Sequence, residues 1–384
     1  MSTASDALAA SRPTWAEIDL RAFDRNVAAV AARLPEGSRL VAVLKADAYG
    51  HGAVALARRC EKANVAMLAT ALLEEALELR HAGITLPILV LGPMNEEQIH
   101  RAIEMDITIG VPGPEVLETV CAVAQHRNVA IHLKLDTGMG RMGVIEPELP
   151  RVVEMIQATP RLKVEAIYTH FANADDPRDP FTREQSARFA TLITTLREAG
   201  LDAPLHHLAN SAATMRGIIT PGDFVRVGLA LYGAEAVNGG EKLEPVMRWR
   251  TAIARLKELP PGHAIGYGTT FHTTRTSRIA TLPVGYADGY DRGFSNSGEV
   301  LVRGQRVPVV GRVSMDLVTI DVTDIPDADI GDEVVLLGGD ITVEELAAKL
   351  DTISYEVFCN VSARVPRVYV DGENVVAVRS RFDA

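Results

Sequence analysis

The most constraining feature of the chain is a unit repeated over residues 41 to 233: a short β-branched apolar run, a small-residue or polar turn, then a longer stretch with helical spacing. The runs are VAVLK from Val41, AMLAT from Ala66, ILVLG from Ile88, ITIGV from Ile107, AIHLKL from Ala130, VEAIY from Val164, LHHLA from Leu205 and FVRVG from Phe224. Eight such strands alternating with helices predict a (β/α)8 TIM barrel in the α/β class. A doubly wound open sheet shares this alternation and stands as the alternative, because periodicity does not give strand order. Stretches 19–34, 147–159 and 181–199 carry ordinary apolar helical stripes, with Asp19 and Pro147 at plausible starts.

After Gly239-Gly240 the pattern changes to TAIARLKEL, RIATLPVGYA, EVLVRG, RVPVVGRV, LVTIDV and DEVVLL, strands joined by Pro-Pro-Gly and Arg-Gly-Gln turns. One helical stretch, 343–350, interrupts them, and RVYVDGENVVAVR closes the chain as a hairpin around Asp371-Gly372. The expected organisation is an N-terminal tail over 1–14, a barrel over 15–240 and a mainly β C-terminal domain over 241–384. The early TWAEIDL run is a candidate to pair with that β domain.

A chain of 384 residues with 47% hydrophobic and 23% charged residues can bury a large core, which excludes disorder as the default state. Its 39 Lys and Arg against 50 Asp and Glu give a net charge of −11, which argues against nucleic acid or an anionic membrane as partner. Cys60, Cys121 and Cys359 are widely spaced with no CxxC pair, supporting neither a disulfide framework nor a zinc knuckle. No apolar stretch approaches the ~20 residues of a spanning helix. A cytoplasmic protein without a metal is expected.

Barrel active sites form where strands end at the C-terminal rim, so polar residues there need an explanation. In IHLKLDTG, alternation puts His132, Lys134 and Asp136 on one face and Ile131, Leu133 and Leu135 on the other, with the polar set inward. A satisfied polar layer is one reading of Lys134; a modified or tightly paired lysine is the other, since a buried ammonium must be paired or neutralised. Lys45 ends the first run, His170 follows the sixth, Asn210 and Ser211 follow the seventh, and Arg226 and Gly228 lie in the eighth. Each alone reads as a core histidine, an ion pair or a helix cap. Together, a lysine on strand one, an arginine, and a phosphate site after strands seven and eight suggest a phosphorylated aldehyde held as a Schiff base.

VLKADAYGHG, LKLDTGMGRMG, THFANAD, ANSAA, RVGLALYG, IGYGTTF, VGYADGYDR, GRVSMD and TISYEVFCNVSARVPRVY, in this order from Trp15 to about Tyr369, resemble the alanine racemases. The resemblance implies a pyridoxal 5'-phosphate barrel, a C-terminal β domain and a head-to-tail homodimer with shared sites. It implies interconversion of L- and D-alanine, supplying D-alanine for peptidoglycan. Lys45 looks like the residue that binds the cofactor aldehyde and, once released, carries one proton; Tyr267 resembles the second proton carrier, from the partner chain. Inverting a stereocentre requires such a pair, one for each face. Without the resemblance, Tyr267 reads as a β-domain core tyrosine.

By the same resemblance, Arg226 contacts the pyridine nitrogen and His170 holds Arg226 in place. Tyr49, Ser211, Gly228, Leu229 and Tyr355 match phosphate-binding positions, and Asn210 is included among the cofactor residues. Arg141 and the backbone N–H of Met315 match the substrate-carboxylate contacts, and Lys134 matches a lysine often carbamylated in the family. Asp175, Tyr286 and Arg292 match positions lining the substrate access path. Ser314 stands where the family commonly has Cys, Leu229 where it commonly has Ile, and the 175–180 loop differs in expected length. Competing readings are a broad-specificity amino-acid racemase, a decarboxylase on the same scaffold, disfavoured by Arg226, and a single-domain cofactor carrier, which would lack Tyr267 and Met315.

Overall fold

A computed structural model describes residues 12–237, 239–240 and 242–382, so positions 1–11 of the expected tail lie outside the described residues. The chain divides into two compact units, one formed by Met1–Phe23, Tyr49–Gly52 and Glu244–Ala384, the other by Asp24–Ala48 and Ala53–Leu243. Strand β1 (Thr14–Asp19) belongs to the first.

The second unit is the barrel. Its strands are β2 (Arg39–Val43), β3 (Met67–Thr70), β4 (Ile88–Val90), β5 (Thr108–Val111), β6 (Val129–Lys134), β7 (Leu162–Tyr168), β8 (Leu205–His207) and β9 (Phe224–Val227). They are parallel and ordered β8-β7-β6-β5-β4-β3-β2-β9, so the first and last barrel strands pair and the open-sheet alternative falls. Nearly every strand residue is buried, as in a sheet covered on both faces, which explains the continuous apolar runs. The ring has one opening, because no ladder joins β8 to β9; there the Arg226 N–H donates to the Ala209 carbonyl at 2.9 Å.

The helices are α1 (Leu20–Ala31), α2 (Ala53–Lys62), α3 (Leu73–His81), α4 (Glu96–Glu104), α5 (Pro114–Ala124), α6 (Leu149–Gln157), α7 (Phe181–Glu198) and the short α8 (Ser211–Met215). Asp19 starts α1, its Oδ1 accepting from the N–H groups of Arg21 and Ala22. The ladder between β6 and β7 shifts register between Ile131 and His132, with the extra residue, Glu165, on β7 between Val164 and Ala166. His132 and Lys134 are both buried, whereas Asp136 lies past the strand and accepts from the N–H groups of Gly138 and Gly140.

After β2 the chain turns with the opposite hand. Ala46, Asp47, Ala48 and Tyr49 follow Lys45 with φ of 52°, 53°, 53° and 52°. For L-residues this region costs roughly 1–2 kcal/mol each. Two carboxylates hold the turn. Asp47 Oδ1 accepts from Ala53 N–H at 2.8 Å. Glu75 Oε1 accepts from Ala46 N–H at 2.6 Å while its Oε2 takes Ala71 N–H at 2.8 Å.

The first unit is mainly β, with β10 (Met247–Ala252), β11 (Arg255–Leu259), β12 (Ala264–Ile265), β13 (Phe271–His272), β14 (Ser277–Leu282), β15 (Glu299–Val302), β16 (Gln305–Pro308), β17 (Val318–Asp321), β18 (Glu333–Leu337), β19 (Arg367–Asp371) and β20 (Asn374–Arg379). Its seven-stranded sheet runs β16-β15-β18-β10-β1-β19-β20, so β1 pairs antiparallel with β10 and parallel with β19. A three-stranded sheet β11-β14-β17 and the β12–β13 hairpin complete it. The TAIARLKEL run divides between two sheets, and α9 (Val343–Lys349) is followed by a second helix, α10 (Ser354–Asn360), that the sequence pattern did not separate. Among the described residues no helix is long and apolar enough to cross a membrane, and no group of three or more His, Cys, Asp or Glu is placed to hold a metal.

Ala46 is exposed in its left-handed turn, so a glycine there loses little burial and removes the Cβ penalty. Ala46→Gly should stabilise the protein by about 1 kcal/mol, read from urea unfolding midpoints. The same change at exposed positions of right-handed helices should destabilise.

Candidate active site

Arg226, on β9, is 4% exposed, and its guanidinium is solvated entirely by neutral groups. Nη1 donates to the His207 carbonyl at 2.6 Å and to His207 Nδ1 at 2.8 Å. Nη2 donates to the carbonyls of Thr169 at 2.6 Å and Leu208 at 3.4 Å and lies 3.1 Å from His170 Nδ1. These partners follow β7 and β8, so the side chain bonds across the opening of the ring. Among the described residues, Nε–H is the donor of Arg226 left without a protein acceptor. Burial pushes the guanidinium down to about 10, which leaves it charged at neutral pH.

The lysines face the same field. Lys45 is half-buried directly after β2. Lys134 is 7% exposed, its Nζ 5.9 Å from the centroid of the Tyr168 ring, while Arg226 lies 5.3 Å from that centroid. Burial first, then the charges of Arg226 and Arg141, push the Lys134 ammonium down to about 8. His170 is held well below its ordinary value by burial and by Arg226, Lys134, Arg141 and Lys45, so four cationic side chains converge on one imidazole. Arg141 itself is exposed beyond the turn that Asp136 ties down.

Ser211 opens α8, but the cap is Asn210, whose side chain accepts from Ala213 N–H at 3.0 Å. The Ser211 hydroxyl accepts from Gly228 N–H at 3.0 Å and Ala230 N–H at 3.5 Å. Leu229 begins a buried 3-10 turn, Leu229–Tyr232, and the Tyr232 hydroxyl donates to the Val43 carbonyl at 2.7 Å, at the end of β2. The barrel unit therefore gathers Lys45, Lys134, Arg141, His170 and Arg226, and places a small cluster of N–H donors around Ser211 and Gly228. Asp175 is exposed on the loop after β7.

The other expected residues lie in the first unit. Tyr49 is buried, its ring 5.5 Å edge-on from that of Tyr355, and burial pushes its phenol up. Tyr267 is not in the core: it is 72% exposed on a turn flanked by Gly266 and Gly268, both at φ 72°. Met315 and Tyr286 are also exposed. Their segments are joined, since Tyr286 N–H donates to Ser314 O and Ala287 N–H to Met315 O. Gly285 permits this approach, because a Cβ there would sit 2.3 Å from the Met315 carbonyl oxygen. Arg292 is exposed on the next 3-10 turn.

Sequence reasoning missed His207, the nearer imidazole to Arg226, and Glu75, which fixes the residue after Lys45. LHHLA carried a signal for the first, two adjacent histidines in a barrel strand; a helical glutamate among several carries none.

As a free amine, Lys134 binds its proton less tightly folded than unfolded. The stability from that shift is present above the ordinary lysine value near 10.5 and is lost as pH falls through 8. In CO2-free buffer the urea midpoint should therefore rise between pH 8 and 10.5 relative to Lys134→Met; a constant difference would show that Lys134 is not a buried titrating amine.

A family model described as alanine racemase, N-terminal domain, matches residues 18–236, and one described as alanine racemase, C-terminal domain, matches 246–369. The chain is 44% identical over 369 residues to an alanine racemase from Halothermothrix orenii, covering 94% of this chain and 97% of that one. It is 42% identical over 371 residues to one from Methanococcus maripaludis, covering 94% and 99%. The solved structure of alanine racemase from Bacillus anthracis with bound L-Ala-P superposes with a TM-score of 0.90 at 38% identity, over 96% of this chain and 98% of that one. Alanine racemase from Clostridium difficile superposes with a TM-score of 0.92 at 36% identity, over 97% and 100%.

Proposed function

The chain belongs to the alanine racemase family, and from that premise we propose how its own residues divide the work of interconverting L- and D-alanine. It is an isomerase, and D-alanine is the product that peptidoglycan synthesis draws on. The observation that carries the reading is Arg226, buried, charged and surrounded by neutral acceptors, with Nε–H left to give. Such a donor suits a neutral ring nitrogen, whereas a carboxylate there would favour the protonated ring.

The donor set fits pyridoxal 5'-phosphate. Arg226, held by His170 and His207, would donate to the ring nitrogen, and the N–H groups gathered on Ser211 at Gly228 and Ala230 suit phosphate oxygens. Tyr49, Ser211, Gly228, Leu229 and Tyr355 would hold the phosphate, with Asn210 fixing the start of α8. When bound, the cofactor supplies an electron sink that acidifies the substrate α-carbon. Lys45 would bind the aldehyde carbon through Nζ and, once displaced by substrate, carry the proton on one face. Tyr267, from a partner chain, would carry it on the other through its phenol oxygen. Its exposure, with that of Met315, Leu317 and Tyr286, leaves large apolar side chains on one unit for a second copy to cover, which supports a homodimer with shared sites.

Arg141 and the Met315 N–H would bind the substrate carboxylate, and Asp175, Tyr286 and Arg292 would line the access path. Lys134, whose amine is driven toward neutrality among cations, is poised to add CO2; the resulting carbamate would place an anion beside Arg141 and Arg226. Intact mass spectrometry under native conditions should then show the gain of one CO2, lost in Lys134→Met. The free cysteines among the described residues accord with a cytoplasmic site of action.

Loss of the α-proton to deuterated solvent, followed with inversion for L-alanine, L-serine, L-lysine and L-arginine, tests the reading directly. Inversion confined to alanine is the expected result; binding without exchange would overturn it. Tyr267→Phe should keep the cofactor absorbance but slow proton removal from one enantiomer by ~10²-fold.

A further inference from the structure

Behind Arg226 and His207 lies a second buried imidazole, His132, that remains without a role. His132 and His207 are 1% and 0% exposed, and His132 Nδ1 lies 3.0 Å from His207 Nε2. The other ring nitrogen of His207, Nδ1, lies 2.8 Å from Arg226 Nη1. A guanidinium only donates, so His207 Nδ1 must be bare. A neutral ring bare at Nδ1 carries its proton on Nε2, and that N–H points at His132 Nδ1, which therefore accepts and is bare in turn. Were His132 the donor, His207 would need its proton on Nδ1, and two N–H groups would meet at 2.8 Å. Burial, then Arg226, pushes His132 down to about 4, and the same causes hold His207 well below its ordinary value, so both rings stay neutral. The Tyr168 ring stacks on His207 at 4.6 Å and 3°, which fixes the plane of the imidazole.

We propose that His132 is a positioning residue: by accepting from His207 Nε2–H it keeps His207 Nδ1 bare toward Arg226 Nη1, and so aims the remaining Nε–H of Arg226 at its acceptor. The inference rests on Arg226 being the ring-nitrogen donor, but the proton positions do not. The order of donors runs from a guanidinium that is charged at neutral pH to an imidazole that is neutral there. No sequence signal marks it, since the two histidines are 75 positions apart.

The test uses holoenzyme labelled with 15N-histidine and long-range 15N–1H correlation. His132 and His207, assigned by substitution, should both be neutral with Nε2 protonated and Nδ1 bare, unchanged from about pH 5.5 to 9. A charged ring, or a proton on His207 Nδ1, would overturn the proposal. His132→Leu should lower kcat in both directions by about ten- to a hundredfold, as misaiming a group does, with KM little changed. His132→Asn, whose amide oxygen can accept from Nε2–H, should recover most of that loss and keep the His207 signals. Wild-type rates in His132→Leu would also overturn it. If the wild-type protein racemises nothing, the proposed function fails and the positioning role is decided by the proton positions and, in 15N-arginine-labelled protein, by whether the Arg226 Nε–H signal moves in His132→Leu and stays in His132→Asn; no movement in His132→Leu rejects it.

Discussion

A guanidinium buried without a carboxylate partner is a demanding object, and the barrel is arranged around one. Arg226 takes its solvation from three backbone carbonyls and two imidazoles, groups that neutralise nothing but supply well-aligned acceptors. The carbonyls lie at the ends of β7 and β8, and that of His207 also accepts from Thr169 N–H at 3.3 Å, so one carbonyl serves both the backbone and the guanidinium. Burial first, and then this unneutralised charge, keep His170 and His207 neutral and drive the Lys134 ammonium toward its free amine.

Lys45, the proposed nucleophile, is delivered by different means. A strand can aim alternate side chains only at two faces, whereas a turn of opposite hand swings the chain away at once and leaves Lys45 at the strand end. Glu75 and Asp47 close the backbone N–H groups that such a turn leaves open. The turn is held by Glu75 of α3 and by Asp47 of the turn itself.

Much of this was legible in the sequence, for a physical reason. Most barrel strands are buried on both faces, so they read as largely apolar runs, and all eight runs coincide with strands to within a few residues. The rim residues were legible because a polar side chain at the end of such a run is costly without a purpose. What stayed hidden depends on contacts distant in sequence. β6 ends at Lys134, so Asp136 lies in the turn beyond it, where its carboxylate accepts from the N–H groups of Gly138 and Gly140. TAIARLKEL reads as one strand because nothing local says that Ala252 and Arg255 belong to different sheets. Tyr267 looks like core by composition, yet two glycines with positive φ hold it out in solvent.

The turn after Lys45 has one more consequence. Handedness in a polypeptide is decided by the configuration at Cα, and the torsions near +50° that cost an L-residue are those its mirror image adopts at rest. At position 46, D-alanine would sit in the observed backbone without strain. The segment that follows the proposed nucleophile, in an enzyme that handles both enantiomers of alanine, is thus built from L-alanine held in the conformation natural to the other.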